Sequence, residues 1–288
     1  SGMFPWFSKV SSPLGPTPAD LQLANAVYES QKAERRPAMW MRELAMIDAN
    51  WPSAAEEILA KIRQTTDKPV RFAFDSHHHG DHAYGNEVWR AQGATIVAHE
   101  GVIQEMQTYE PGLYGKGSGR WEEEAAKRKD VAESKLAPPT LLFPNAMIFD
   151  DGQQRVELIH FGIAHTHGDA FAWLPKEGIL FSGDACVNGP YNYMGDGHTG
   201  QWIQTLESVR ALEPKIVCPG HGLIGGPEIL DHQIEYIPKS AHWSRLARIW
   251  TRSRPLHLSS KRRSNSTIAS PTTWAAFSRP RLKKCLMN

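Results

Sequence analysis

The sequence contains no run of 18 or more apolar residues, and this absence excludes a helix that spans a membrane. It has only three cysteines in 288 residues, which are too few and too unevenly spaced for a disulfide framework. No signal peptide is recognisable, so the compartment, cytoplasmic or periplasmic, stays open. The length and the 41% apolar content suit a soluble protein with a substantial core.

Acidic residues are missing from the C-terminal part of the chain. Residues 239–288 carry 12 Lys or Arg and no Asp or Glu, whereas residues 1–238 carry 20 Lys or Arg and 31 Asp or Glu. This change predicts a boundary at residue 239, followed by a basic extension. Three interpretations stay open: an arm that binds nucleic acid or another anionic surface, a disordered or loosely helical extension, and an end produced by a change of reading frame.

The remaining sequence divides into two parts. Residues 1–40 combine a loose arm rich in Pro, Ser and Gly with a helical pattern. Residues 41–238 alternate strands and helices, which predicts an α/β domain. Its first strand is expected over residues 43–48, and the helix that follows is expected to begin with Ser53 as N-cap and Glu56 completing a capping box.

The segment from 109 to 140 interrupts this alternation. It contains a glycine-rich turn, and then a highly charged helix is predicted over Trp121–Leu136. Two interpretations stay open for this excursion. It is either a solvated loop over one face or a lid over a site at the strand ends.

Four imidazoles and a carboxylate fall within six positions, directly after an apolar strand predicted over residues 68–74. A strand that ends by delivering alternate side chains to one side would project His77, His79 and Asp81 together, with His82 following as the chain turns. Neutral imidazole and carboxylate are the usual ligands of zinc. The pattern therefore predicts a metal site. An engineered tag would be terminal and would lack the Gly-Asp-His sequence at its end.

Three further polar clusters follow apolar strands downstream, at His165, Asp184 and His221. Because α/β sheets place ligand-binding groups at strand ends, we expect these residues to meet the first cluster at one edge. A catalytic zinc site needs about three protein ligands and an open position for water. Seven candidate ligands are therefore enough for two sites that share a bridging residue.

The pattern His-x-His-x-Asp-His, with the ordered His, Asp and His downstream, resembles the metallo-β-lactamase superfamily over about residues 44–226. The resemblance implies a four-layer αββα sandwich and a site for two zinc ions, with other divalent transition metals as alternatives. By this resemblance the ligands are His77, His79 and His165 for one ion, Asp81, His82 and His221 for the other, and Asp184 as the bridge.

The same resemblance implies roles for residues around the ligands. Asp48 matches the structural aspartate that orients the ligand-bearing loop in the family. The family pattern His-Thr-x-Gly-Asp selects His165 as the ligand and leaves His167 as a variable position near the site. His78 is expected to point away from its two neighbours, toward an outer shell or solvent, and His198 is a candidate for the pocket wall.

Two cations a few ångströms apart lower the pKa of a bridging water and generate hydroxide, which attacks a carbonyl or phosphorus centre. Asp81 is expected to orient the nucleophile or pass a proton to the leaving group. Tyr191 or Tyr193 is a candidate donor to the developing oxyanion, with simple packing or a loop hydrogen bond as the alternative role. Asp at position 184 resembles the glyoxalase II, lactonase and general esterase branches, whereas lactamases commonly carry Cys or Ser there.

The expected function is zinc-dependent hydrolysis of an ester, thioester, lactone or β-lactam bond in a small acyl substrate. One alternative is a phosphodiesterase or nuclease on the same fold, with the basic tail holding nucleic acid, which is the less favoured partner. A second alternative is a metal-binding protein without catalysis, against which the complete ligand set argues. The natural substrate, the metal loaded in cells and the oligomeric state, including a homodimer, are left open by the sequence.

Overall fold

The computed structural model describes residues 7–8 and 44–252. The predicted N-terminal helix and the predicted basic extension beyond residue 252 lie outside the described residues. Two five-stranded sheets form the centre of the described part. The first is parallel throughout, in the order β1-β2-β3-β4-β5. Its strands are β1 (Phe7–Ser8), β2 (Leu44–Ile47), β3 (Val70–Asp75), β4 (Thr95–His99) and β5 (Leu141–Phe143).

The second sheet has the order β10-β9-β8-β7-β6. Neighbouring strands are antiparallel except for β9 and β10, which are parallel. The strands are β6 (Ala146–Asp150), β7 (Arg155–Ile159), β8 (Phe171–Leu174), β9 (Ile179–Asn188) and β10 (Ile216–Gly222). Short turns join β6 through β9, as antiparallel neighbours allow, whereas the parallel pair β9 and β10 needs a helical crossover.

Helices connect the parallel strands and cover the outer faces of both sheets. None of those in the described part of the chain is both long and apolar enough to cross a membrane. They are α1 (Pro52–Thr65), α2 (Gly80–Ala83), α3 (Asn86–Ala91), α4 (Glu100–Tyr109), α5 (Arg120–Ala125), α6 (Lys129–Ala132), α7 (Thr199–Arg210) and α8 (Glu228–Arg252), with a 3-10 turn at Pro111–Tyr114.

Three clusters of buried apolar side chains define four layers. Between the two sheets, Phe74 of β3 packs in one cluster with Leu158 of β7 and Phe181 of β9. On the outer face of the first sheet, Trp89 of α3 packs in a second cluster that also includes side chains of α1. Trp202 of α7 belongs to a third cluster, which joins α7 and α8 to the second sheet. The helix–sheet–sheet–helix order confirms the predicted αββα sandwich.

Two local predictions are wrong. Ser53 is not the N-cap of α1: the helix begins at Pro52 with Trp51 at the N-cap position, and no side chain caps it. Proline is well suited to the first helical position because its fixed φ matches the helix and its missing N–H is not needed there. The Ser53 hydroxyl instead donates to Asp130 Oδ2 at 2.7 Å, and Glu56 therefore completes no capping box.

The charged helix predicted after residue 120 is interrupted as well. Helices α5 and α6 are separated at Arg128, whose backbone is extended (φ −125°, ψ 118°). Its guanidinium pairs with Asp130 at 2.9 Å and lies 4.2 Å from the centre of the Trp51 ring. These two contacts hold the Arg128 side chain against the protein, and the backbone leaves the helical conformation at this residue.

Replacing Trp89 with alanine tests the packing of the outer helical layer. The Trp89 side chain is fully buried, and its indole N–H donates to the Ala49 carbonyl at 3.1 Å. We expect Trp89→Ala to lower the free energy of unfolding by about 3–5 kcal/mol through the cavity it leaves, as measured by urea unfolding. The control is Ile148→Ala, where the side chain is 50% exposed and the expected loss is below about 1 kcal/mol.

Candidate metal centre

The seven predicted ligands are placed by the ends of both sheets. Strand β3 ends at Asp75, and the turn that follows carries His77 and His79 before α2 begins at Gly80. Asp81 and His82 lie on α2, so they point from a helix and do not continue the alternation of the strand. Of the other three ligands, His165 lies on the loop between β7 and β8, Asp184 within β9 and His221 within β10.

Strand β9 does not end at Asp184 as the sequence suggested. It continues to Asn188, and its pairing with β10 shifts register on both sides of Pro219. Gly183 has a φ of +50°, a conformation that glycine adopts without strain. The irregular pairing therefore turns the Asp184 carboxylate toward the edge where the histidines lie, although the strand itself continues.

The first group of ligand atoms contains three imidazole nitrogens and one carboxylate oxygen. His79 Nδ1 lies 3.1 Å from His77 Nε2 and 3.0 Å from His165 Nε2. Asp184 Oδ2 is 3.9 Å from His77 Nε2 and 3.7 Å from His165 Nε2. These separations, from 3.0 to 3.9 Å, suit donor atoms around one tetrahedral ion with bonds of about 2.0–2.2 Å, and the four residues form a group that could hold a metal ion.

The second group contains Asp81, His82 and His221, whose ligand atoms also lie within 4.8 Å of one another. His221 Nε2 is 3.2 Å from both Asp81 Oδ2 and Asp184 Oδ2. His82 Nε2 is 3.2 Å from Asp184 Oδ1. The carboxylate of Asp184 therefore lies within 4 Å of imidazole nitrogens from both groups.

Asp48 orients the rings of two candidate ligands, His77 and His82, through hydrogen bonds on the side away from the ligand groups. The Ser76 hydroxyl donates to Asp48 Oδ2 at 3.1 Å, so Ser76 Oγ accepts from His77 Nδ1–H and the lone pair of His77 Nε2 faces the first group. His82 Nδ1–H donates to the same Asp48 oxygen at 2.8 Å, which turns the lone pair of His82 Nε2 to the second group. Such outer partners fix the tautomer of metal-binding histidines.

The third oriented candidate ligand is His79. Its Nε2–H donates to Asp196 Oδ2 at 2.8 Å, so the lone pair of Nδ1 faces His77 and His165. Asp196 is in turn held by two hydrogen bonds from Arg120, at 2.7 and 3.1 Å. No local pattern in the sequence marks Asp196 or Arg120, because their contacts join positions 117 and 76 residues apart.

The protonation states suit a cation. Burial lowers the pKa of His165 to about 3 and holds the pKa of His77 well below its usual value, so both imidazoles are neutral at neutral pH. Burial raises the pKa of Asp184, but His82 and His221 outweigh this effect and hold it well below its usual range. Neutral imidazoles and ionised carboxylates are a donor set that fits zinc and similar divalent ions.

The remaining predicted residues are distributed around this centre. His78 is buried, points away from the first group and stacks on Tyr109 with the ring centres 5.2 Å apart. His167 donates from both its backbone N–H and its ring to Glu105, and its side chain is exposed. His198 is exposed and precedes α7, where its backbone N–H donates to the Ala164 carbonyl.

Of the two tyrosines, Tyr193 is the one in contact with the ligands. Its ring centre lies 5.8 Å from that of His79 and 6.1 Å from that of His165, and the residue is 53% exposed. Tyr191 is 73% exposed, and within residues 44–241 no ring contact joins it to a ligand. Tyr193 is therefore better placed than Tyr191 to reach a bound substrate.

The chain is similar to known proteins over most of this region. The family model described as the metallo-beta-lactamase superfamily matches residues 41–221. A relative named metallo-beta-lactamase type 2, from Bacteroides fragilis, is 30% identical over 109 residues, which are 36% of this chain and 44% of that protein. A hydroxyacylglutathione hydrolase from Rhodospirillum rubrum is 26% identical over 179 residues, 62% of this chain and 56% of that protein. The chain thus spans about half the length of these curated relatives.

A solved structure, a metallo-beta-lactamase from Pontibacter korlensis, superposes with a TM-score of 0.54 at 23% identity, covering 68% of this chain and 83% of the other. At this identity the likeness concerns the fold. The chain belongs to the metallo-β-lactamase superfamily, since the family model covers more than half of it. Its curated relatives are named as hydrolases, in agreement with the hydrolase class predicted from the sequence.

Gly220 provides a test of the space around the bridging carboxylate. A Cβ atom at this position would lie 2.0 Å from Asp184 Oδ1 and 2.6 Å from the Gly183 carbonyl carbon. We therefore expect Gly220→Ala to cost about 1–3 kcal/mol of stability, as overpacking does, and to lower the metal content measured by elemental analysis. Gly189→Ala is the matched control, because a Cβ there would contact nothing within 4 Å. Equal metal content in the two variants would contradict the expectation.

Proposed function

We propose that the protein is a dinuclear zinc hydrolase that cleaves an ester, thioester, lactone or β-lactam type acyl bond in a small molecule. The observation that carries this proposal is the contact of one carboxylate, that of Asp184, with two separate groups of ligand-type atoms. A single ion would require only one of these groups. Two ions that share a ligand would use both.

In this proposal His77, His79 and His165 hold one ion, and Asp81, His82 and His221 hold the other. Two divalent cations held by these residues would supply Lewis-acid chemistry for activating water and polarising the acyl oxygen. Zinc is the metal that the mixture of imidazole and carboxylate ligands favours, and other divalent transition metals are the alternatives.

Two side chains are proposed to act on the substrate itself. The Asp81 side chain is 27% exposed, more than the Asp184 side chain at 8%, so Asp81 is the proposed carrier of a proton to the leaving group. The Tyr193 hydroxyl is the proposed donor to the developing oxyanion, because its ring lies beside His79 and His165 at the open side of the centre. Tyr191, on the same loop, is the second candidate for this role.

The names of the relatives support an acyl substrate. One is named a metallo-beta-lactamase and another a hydroxyacylglutathione hydrolase, and both names denote hydrolysis of an acyl bond. Asp at position 184 resembles the glyoxalase II, lactonase and general esterase branches of the family. It therefore favours an ester, thioester or lactone over a β-lactam as the substrate. Most of the basic extension, on which a nuclease function would depend, lies outside the described residues, and only residues 239–252 are described, as the end of α8.

The proposed class of reaction can be tested with a panel of chromogenic esters, thioesters, lactones, cephalosporins and phosphodiesters. We expect at least one acyl substrate to be hydrolysed, the activity to disappear when a chelator removes the metal, and zinc to restore it. Turnover confined to the phosphodiesters would contradict the proposal and favour a phosphodiesterase. Hydrolysis that is unaffected by chelator would contradict the role of the metal.

The ligand assignment can be tested with His79→Ala and Asp184→Ala. Each variant removes a proposed ligand. Loss of an outer hydrogen-bond partner typically lowers activity about 10–100-fold, and we expect the loss of a ligand to lower kcat/KM by more than this. Zinc content, measured by elemental analysis, should fall in parallel. The control is His232→Ala, which removes an exposed histidine of α8. Full zinc content and unchanged turnover in either ligand variant would disprove the assignment of that residue.

A further inference from the structure

We propose that Arg120 and Asp196 act as a positioning pair that fixes the ring of His79 and thereby sets the metal affinity of the first ligand group. The inference rests on the proposed function, because it assumes that this group binds a metal ion. It assigns a role to part of the excursion between α4 and β5, for which the sequence left open either a solvated loop or a lid.

Asp196 contacts the ring of His79 directly. Asp196 Oδ2 accepts from His79 Nε2–H at 2.8 Å, and the opposite ring nitrogen, Nδ1, faces His77 and His165. An imidazole that loses this acceptor can adopt the other tautomer, in which Nδ1 carries the proton and is unable to bind a metal. The carboxylate of Asp196 therefore selects the tautomer that the first group requires.

Asp196 itself is held in place by Arg120. Its carboxylate is almost fully buried, and a buried carboxylate is costly unless it is paired. Arg120 supplies the pairing charge through two parallel hydrogen bonds, from Nη1 to Oδ2 and from Nη2 to Oδ1. This bidentate geometry fixes the plane of the carboxylate as well as its position, so Arg120 determines where Asp196 can hold the His79 ring.

Arg120 is held in place by Tyr109 as well as by Asp196. It is the first residue of α5, and its guanidinium lies 3.7 Å from the centre of the Tyr109 ring at the end of α4. Tyr109 stacks in turn on His78. The guanidinium is thus held by a ring on one side and by a carboxylate on the other, which leaves it little rotational freedom.

An extra ion is the competing interpretation of this region. Ligand-type atoms of His78, His79 and Asp196 lie within 4.8 Å of one another. However, Arg120 Nη1 lies 2.7 Å from Asp196 Oδ2 and 3.5 Å from His78 Nε2. A permanent positive charge already occupies this place, and it would repel a metal cation. The cluster is therefore better explained as support for His79 than as a third metal site.

The test is the zinc affinity of the full-length protein, measured by competition with a chromophoric chelator, together with the visible spectrum of the cobalt-substituted form. We expect Asp196→Ala to weaken zinc binding by about 10–100-fold, as loss of an outer partner typically does, and to change the cobalt spectrum. Arg120→Ala should give a smaller loss, up to about 10-fold. Arg120→Lys should rescue it only in part, because lysine cannot make the bidentate, stacked contact.

The excursion itself offers a matched control. Arg128 and Asp130 form a similar pair on the same segment, with Arg128 over the Trp51 ring, and neither contacts a proposed ligand. Arg128→Ala and Asp130→Ala should therefore leave zinc affinity and the cobalt spectrum unchanged. Urea unfolding of the metal-free forms separates positioning from general stability, because a purely structural role would lower the stability of the apoprotein without changing the spectrum.

The outcomes are distinguishable. Wild-type zinc affinity and an unchanged cobalt spectrum in Asp196→Ala would overturn the inference and leave the proposed function standing. If the wild-type protein binds no zinc, the proposed function fails, and the inference fails with it. If Asp196→Ala does not fold, Asp196→Asn and Arg120→Ala decide the question, and wild-type affinity in both would overturn the inference.

Discussion

The carboxylate of Asp184 is buried and lies within 4 Å of imidazole nitrogens from four histidines: His77, His82, His165 and His221. An ionised group in such a place loses its hydration and persists only where nearby charges or dipoles replace the water. Much of the local backbone serves this requirement. Gly183 adopts a positive φ, and Gly220 leaves the space that the carboxylate occupies. Bound cations would complete the compensation that neutral imidazoles give only in part.

Around this carboxylate, two further aspartates determine which ring nitrogen three of the imidazoles, those of His77, His79 and His82, present to the centre. Asp48, at the end of β2 with a φ of 58°, accepts hydrogen bonds from Ser76 and His82. Asp196 does the same for His79 from a loop of the other sheet. A left-handed backbone at a residue other than glycine is strained, and at Asp48 it places the carboxylate against both ligand-bearing elements. The centre is thus preorganised by hydrogen bonds before any metal binds.

Sequence reasoning was most effective where a signal was local. The alternation of strands and helices predicted β2 and β3 to within a few residues, and the cluster at 77–82 identified the region of the candidate metal centre. It failed where the outcome depended on distant partners. Ser53 has the residue type and the sequence position of an N-cap, but its hydroxyl donates to Asp130, 77 residues away. Arg120 and Asp196 carry no pattern of their own, since their roles arise only when the fold brings them to His79.

Each group of ligand atoms takes members from both sheets: His77, His79, Asp81 and His82 follow the first sheet, whereas His165, Asp184 and His221 belong to the second. Neither half of the chain carries all the members of either group of ligand atoms. If recombination between relatives replaced one half of the chain, the new half would have to keep the distances between its ligand atoms and those of the other half. We therefore expect the two halves to be inherited together. Exchange of sequence segments between family members should be tolerated mainly at the outer helices and at the chain ends.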